Sequence, residues 1–475
     1  MKMNKLITFA AVAASAAIPM AANAATENIT FTTNGVTWRI RLEPEADSSL
    51  SSYGSVGKVA GTAMLGINTS CNDVDNWRNS SIWAIADQNV TVDASLIPWE
   101  FDYNGTHYTV TKIALAAFNK YSTAATLTGT VTIPDAVTEI RNAAFVNQTS
   151  LTGFSGGRNV KFWGAMAFTG CSNMLGVYPD MSQSVYFGDS VFSSCDKMTG
   201  TPAFSDMLQF VKYYAFHSTK ISGAAVIPAS VGTFGGGGNY ADYGVFRDCP
   251  NLEAVWVKGK PTAASQTYTT VYCASLARNC TSMKMILMGR NTKGELMNKT
   301  GAQAMLNGDT GVQVFVPANG QWDGLVTGGS NNKVWYYGPD REFDLEIDDE
   351  TMEATFTPTT VNALTNALAW APQFKTHFNL DAHISVTNTL DLTGVTITED
   401  MTSGVTFDRL VFSAKTQTQL DAILGAFPAT TPISIDPTGL TENMTIPNDY
   451  PNVFVKTVPG VTIKRTAKGF MIIIK

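Results

Sequence analysis

The stretch VKFWGAMAFTGCSNML, residues 160–175, places Phe168 after a small residue, follows it three positions later with Cys171, and then returns to apolar residues. Aligned on Phe168, the same order recurs in VTEIRNAAFVNQTSL (137–151), VYFGDSVFSSCDKM (185–198), LQFVKYYAFHSTKI (208–221) and YGVFRDCPNL (243–252). The anchors Phe145, Phe168, Phe192, Phe216 and Phe246 are spaced by 23, 24, 24 and 30 residues, the last interval lengthened by the Gly235 to Gly238 run. A weaker copy ends at Phe118, and a degenerate one spans Ala274 to Met283. A period of this size is that of a solenoid, because one such unit cannot bury its apolar side alone and must stack on its neighbours. Within each unit an apolar pair such as Ile133-Pro134 is followed by a second apolar position, exemplified by Ile140, Phe162, Phe187 and Phe210, and then by the anchor.

The position three past the anchor holds Gln148, Cys171, Cys195, Thr219 and Cys249, with Cys280 in the degenerate copy. A reactive or metal-binding thiol would not alternate with Thr and Gln, so the column predicts buried side chains lined up coil on coil to bond backbone groups. Two other readings stand beside it. Six cysteines, at 71, 171, 195, 249, 273 and 280, form an even set that an oxidising compartment could pair. Stacked side chains about 4.8 Å apart run parallel, however, which strains a bridge. Zinc would need closer ligand pairs than Cys273 and Cys280 provide, since no C-x-x-C is present. Cys71 lies outside the array and has no assigned role.

Composition and the N-terminus point to export. Apolar residues make up 44% of the 475, charged ones only 15%, and the formal net charge is −7, which leaves no basic surface for nucleic acid. Lys2 and Lys5 precede an apolar run from Leu6 to about Met20 and the small-x-small site Ala22-Asn23-Ala24, the pattern of a secretory signal cleaved after Ala24. The alternative, a membrane anchor, needs a longer run than this. No cysteine follows the cleavage site to carry a lipid, and no later segment is long and apolar enough to span a bilayer as a helix.

The order IP..VT.I...AF..C..L, clearest in IPDAVTEIRNAAF (133–145), resembles the BspA-type leucine-rich repeats of bacterial surface proteins. FDYNGTHYTVTKIALAAF (101–118) is similar to the segment that leads into such arrays, and the resemblance covers roughly residues 98–320. It implies a repeat fold and, less specifically, an exported protein that binds or adheres to varied ligands. Met or Phe often replaces Leu, and the copies after Phe246 lengthen and lose the aromatic anchor.

The expected architecture is an α/β-type solenoid rich in β. It comprises a signal peptide (1–24), an N-terminal β cap (25–97), a leucine-rich-repeat array (98–320), a linker or end of array (321–340) and a C-terminal α/β, possibly repeat-like domain (341–475). In that last part the periodicity predicts helices over Val361 to Ala371 and Thr416 to Phe427, among strand-like runs at Val405–Phe407, Leu410–Phe412, Ile433–Ile435 and Val453–Val455. DLTGVTI (391–397) and DPTGLTE (436–442) recur loosely there.

Candidate chemistry is thin. His377, His383 and Asp381 form the only local histidine cluster, and Asp344, Glu346 and Asp348 alternate on what reads as a charged edge strand. The latter lacks the spacing and central glycine of a calcium loop, and G-x-S-x-G, H-E-x-x-H and phosphate-loop patterns are absent. No metal or cofactor is implied, and a non-enzymatic binding role is expected. In-and-out alternation places Phe154, Val177, Val255 and Ile286 in the core and Ser155, Tyr178, Pro202, Trp256 and Leu287 outside, with Trp256 and Tyr178 as the candidate ligand-binding residues. The expected partner is an extracellular protein or glycan. A structural envelope or matrix component and a carbohydrate-active enzyme are the alternatives.

Overall fold

Six phenylalanine rings stand one on the next through the solenoid in the computed structural model. It describes residues 27–42, 61–67, 83–120, 125–236, 244–260, 268–295, 305–326, 329–387, 390–402, 410–438, 444–455 and 463–465. Phe118, Phe145, Phe168, Phe192, Phe216 and Phe246 follow one another at centroid distances of 4.9, 4.8, 5.5, 6.1 and 5.8 Å, each pair stacked. All six are buried. Burying a phenylalanine is worth roughly 1.5–3 kcal/mol and an aromatic pair about 0.5–1.5 more, so this column is a principal source of cohesion between coils.

The coils of Phe145, Phe168, Phe192 and Phe216 turn two corners around the anchor. Residues two before the anchor (Ala116, Ala143, Met166, Ser190, Tyr214) and two after it (Asn147, Ser194, Ser218, Asp248) have φ between 50 and 60°, the left-handed region. Gly170 occupies the second of these columns at φ 75°. The conformation costs a non-glycine residue on the order of 1 kcal/mol, and the backbone shows what offsets it. In one coil Ala143, Phe145 and Asn147 donate their amides to Ala165, Ala167 and Thr169 of the next, at 2.7, 2.7 and 2.8 Å. Met166, Phe168 and Gly170 repeat the pattern onto Asp189, Val191 and Ser193. The corners therefore aim alternate amides along the solenoid axis, as a parallel strand would.

The ladder three past the anchor completes the anchors' carbonyls. Gln148 Nε2 donates to Phe118 O (2.6 Å), Cys171 Sγ to Phe145 O (3.2 Å), Cys195 Sγ to Phe168 O (3.2 Å), Cys249 Sγ to Phe216 O (2.9 Å) and Cys280 Sγ to Phe246 O (2.9 Å). Thr219 is the exception, bonding Phe216 O of its own coil at 2.9 Å. The five described cysteines are free and buried, which removes the disulfide reading for them; Cys71 lies outside the described residues. Burial pushes the thiols of Cys171 and Cys273 up to about 12.

On one side of the stack the coils contribute a long sheet, mostly parallel, with the Glu27–Thr33 and Val36–Leu42 hairpin at its end. Its inward column is Ile113, Ile140, Trp163, Phe187, Val211, Phe234 and Val271, all buried. Phe162 and Phe210, grouped with Ile140 and Phe187 from sequence, instead pair with Tyr186 one residue out of phase and point away from the core. On the other side a parallel sheet of five strands runs from Gly223–Ile227 through Leu252–Val257, Met285–Met288 and Gln313–Pro317 to Lys333–Tyr337. The segment around 320–340 thus adds a further coil, with Trp322 buried inside it and its Nε1 bonded to Thr292 O at 3.1 Å.

The C-terminal part is a second parallel array. Strands Glu353–Pro358, Asp381–Val386, Leu410–Ser413, Ile433–Asp436 and Val453–Val455 pair in chain order, and Phe343–Asp348 joins antiparallel at the edge, where its acidic alternation was expected. Helices Val361–Phe378 and Gln417–Ala426 connect strands of this array. The first runs about two turns past the expected stop at Ala371, through Pro372, where Phe374 and Phe378 pack against the solenoid. Val405–Phe407 lies outside the described residues. Among the described residues no helix is long and apolar enough to cross a membrane.

Two outcomes test this arrangement. Ser194→Val, which forces a β-branched side chain into the left-handed corner, should destabilise the protein by about 1–2 kcal/mol in urea unfolding, whereas Ser194→Gly should not. The thiols of Cys171, Cys195, Cys249, Cys273 and Cys280 should resist alkylation at pH 8 in native protein and react together once it is unfolded, as mass spectrometry of the labelled chain would read.

Candidate binding surface

Neither residue singled out from sequence is at the surface. Tyr178 is 6% exposed and packs its ring edge-on against Phe192 and Phe216, both at 5.4 Å. Val177, expected inside, is 68% exposed. Strand alternation fails here because the strands Gly176–Val177 and Asp180–Met181 are only two residues long, and the Tyr178-Pro179 break between them resets the phase. Pro202 is buried for the same reason, its flanking strands ending at Gly200 and resuming at Ala203, while Ser155 is exposed as expected.

Trp256 is a different case. Its neighbours Val255 and Val257 belong to the solenoid core, and Trp256 and Leu287 do face away from it. The C-terminal array covers that face. Phe315, next in the same outward column, sits edge-on to Trp370 (5.0 Å) and Phe374 (5.2 Å), and Trp256 meets Phe378 at 5.9 Å, which leaves Trp256 1% exposed.

Beside this interface lies a cleft of about 770 Å³. Lys258, Lys260 and Arg290 line it from the solenoid, and Glu346, Asp348 and Asp349 from the edge hairpin of the C-terminal array. Its charges largely face each other: Arg290 bonds Asp344 at 2.6 Å and Lys258 stands 3.6 Å from Asp349. The cleft therefore reads first as an ionic seam between arrays.

The histidine cluster does not converge. His377 Nδ1 stands 3.7 Å from Glu253 and burial lowers its pKa, with Glu253 opposing; His383 Nε2 meets Glu353 at 3.2 Å, and Asp381 pairs with Lys375 at 2.9 Å. A string that sequence reading missed has the residue types of a nucleophilic relay, with Ser193 Oγ 3.1 Å from His217 Nδ1 and His217 Nε2 3.1 Å from Asp248. The three stand on successive coils as turn rungs. Ser193 is only 7% exposed, and Asp248 is held as well by Arg247 (3.1 Å) and Asn279 (2.7 Å), so the string is turn scaffolding.

What the long sheet does present is an aromatic column. Along its outward face the register runs Lys112, Glu139, Phe162, Tyr186, Phe210, Thr233 and Thr270. At one end Lys112 and Glu139, both nearly buried, pair at 3.1 Å, with Arg141 beside them at 3.5 Å. Next, Phe162 and Tyr186 stack at 4.8 Å and 7°, and Phe210 follows at 6.2 Å with Lys212 Nζ 5.4 Å from its ring centre. Phe162 is shielded by its neighbours, while Tyr186 and Phe210 are half-buried. Burial lifts the nearby Asp189 carboxyl to about 6, against the pull of Lys212. Such a column could have been found in the sequence only by fixing the phase of two-residue strands, for which alternation gives no signal.

A stack of short parallel strands with one large anchor per coil and a carbonyl-capping ladder defines a protein of the leucine-rich-repeat class. Residues 111–253 match, in 6 copies, the family model of the BspA type leucine rich repeat region. No curated protein matches the chain. Among solved structures it is similar to the pneumococcal vaccine antigen PcpA, at 12% identity over 90% of this chain and 99% of that one, with a TM-score of 0.35. It is also similar to a leucine-rich repeat protein from Bacteroides ovatus ATCC 8483, at 13% identity over 93% and 98%, with a TM-score of 0.22.

The two aromatic columns should respond differently to truncation. Phe168→Ala, in the buried stack, should cost about 3–5 kcal/mol, and Phe210→Ala on the outward column roughly 1 kcal/mol or less, measured by denaturant unfolding.

Proposed function

We propose that this chain is an exported bacterial protein, secreted or held at the cell surface, that acts by binding an extracellular macromolecule along the outward aromatic column of its long sheet. The observation that carries the reading is the alignment of Phe162, Tyr186 and Phe210 along the outward register of the long sheet. A solvated sheet face ordinarily alternates to polar residues, and aromatic side chains there add binding energy at low entropic cost. The signal-like segment 1–24, which lies outside the described residues, and the BspA-type repeats support export.

Ring geometry favours a protein partner over a glycan. Phe162 and Tyr186 turn their faces to each other at 4.8 Å, so the stack offers rims to the outside, where an apolar side chain packs better than a flat sugar. Purified 25–475 protein on protein and glycan arrays should retain a protein ligand. Tyr186→Ala with Phe210→Ala should abolish that retention without unfolding the chain, and retention indifferent to the pair would overturn the assignment.

A second reading, assembly with copies of itself as an envelope or matrix component, draws on Leu175 and Val177, 56% and 68% exposed on the opposite side of the solenoid. It would appear as concentration-dependent light scattering that Val177→Lys removes.

A further inference from the structure

The ladder does not end with Cys280. Counting three past the last described anchor position, Leu306, gives Asp309, on the coil stacked directly after that of Cys280. It is 2% exposed, and among the described residues neither carboxylate oxygen has a hydrogen-bond partner. Every cysteine rung with a preceding anchor donates a proton to that anchor's carbonyl, and Phe145 O and Phe168 O also accept the amide of the rung in their own coil. Phe168 O, for example, takes Cys171 N–H at 3.1 Å and Cys195 Sγ at 3.2 Å. For Asp309 the equivalent carbonyl is Ala277 O, which takes Cys280 N–H at 3.3 Å and receives no side-chain bond from an ionised carboxylate.

We infer that Asp309 serves as a proton-dependent rung: protonated, it donates to Ala277 O as the thiols do, and ionised, it releases the coil on which the C-terminal array sits. The connection to that array is short. Asn332 bonds Asp309 O (3.4 Å) and Val312 N (2.8 Å), and Val312 opens into Gln313–Pro317, whose Phe315 lies at the centre of the interface with Trp370 and Phe374. Among the described residues, the groups facing Asp309 are the Cys280 thiol and Asp248 from the preceding coils, and the uncharged Asn332 from the following one. None supplies a positive charge. Asp248 itself is held by His217 and Arg247.

Burial moves the Asp309 carboxyl from 3.8 up to about 7, with Asp248 adding and the Cys280 amide opposing. Because the folded state holds the proton more tightly than the unfolded chain, the contribution is complete below about pH 3.8, declines as pH rises, and is gone above about pH 7. Hydrogen exchange of residues 305–317 in the full chain, corrected for intrinsic rates, tests this. Wild type should lose protection between pH 5 and pH 8, by up to on the order of a hundredfold. Asp309→Asn, whose amide donates at every pH, should keep its protection across that range. An equal loss in the variant would overturn the inference. Should the variant not fold, carbon-13 titration of the wild-type Asp309 carboxyl decides: a midpoint near 7 supports the rung, and one near 4 sinks it.

Discussion

The constraint on which the structure depends is the satisfaction of backbone amides and carbonyls across the gap between coils. A coil of about 24 residues has no hydrogen-bonded helix to absorb its own backbone groups, so they must find partners on the coil before or after. The left-handed corners on either side of the phenylalanine direct alternate amides forward, and the ladder side chain reaches back to the carbonyl that remains. Ring stacking then sets the spacing at which both bonds close. The anchor, both corners and a ladder side chain recur together in the coils of Phe145, Phe168, Phe192 and Phe216.

Two consequences follow for the surface. Short strands between sharp corners cannot sustain a long alternation, and the outward columns are decided coil by coil. One face of the solenoid, carrying Val226, Trp256, Leu287, Phe315 and Trp335, is consumed as a bed for the Val361–Phe378 helix. The second array thereby takes out of solvent the side chains best suited to recognition. On the outward register of the long sheet the aromatic column begins where the buried Lys112–Glu139 pair ends.

The junction between arrays concentrates the molecule's unusual electrostatics. Arg290, Lys258, Asp344 and Asp349 bridge it at the surface, where such pairs contribute little individually, so the apolar contact of Phe315 with Trp370 and Phe374 dominates its strength. Asp309 lies on the same coil as Phe315, six residues before it, and is buried.

The sequence by itself determined the repeat, its anchors, the ladder from Gln148 to Cys280 and the change of texture near residue 341, because these are periodic and every copy reports the same environment. Asp309 escaped it: Leu306 replaced the phenylalanine that would have marked the register. Only the tertiary structure decided which side of each two-residue strand faces out, moving Phe162 and Phe210 outside and Tyr178 inside. It alone decided that Trp256, correctly phased away from the core, is covered. The reason is physical in both cases. Periodicity encodes contacts between neighbouring coils, whereas the docking of one array on another joins residues 55 to 122 positions apart, whose shared burial leaves no pattern in either segment.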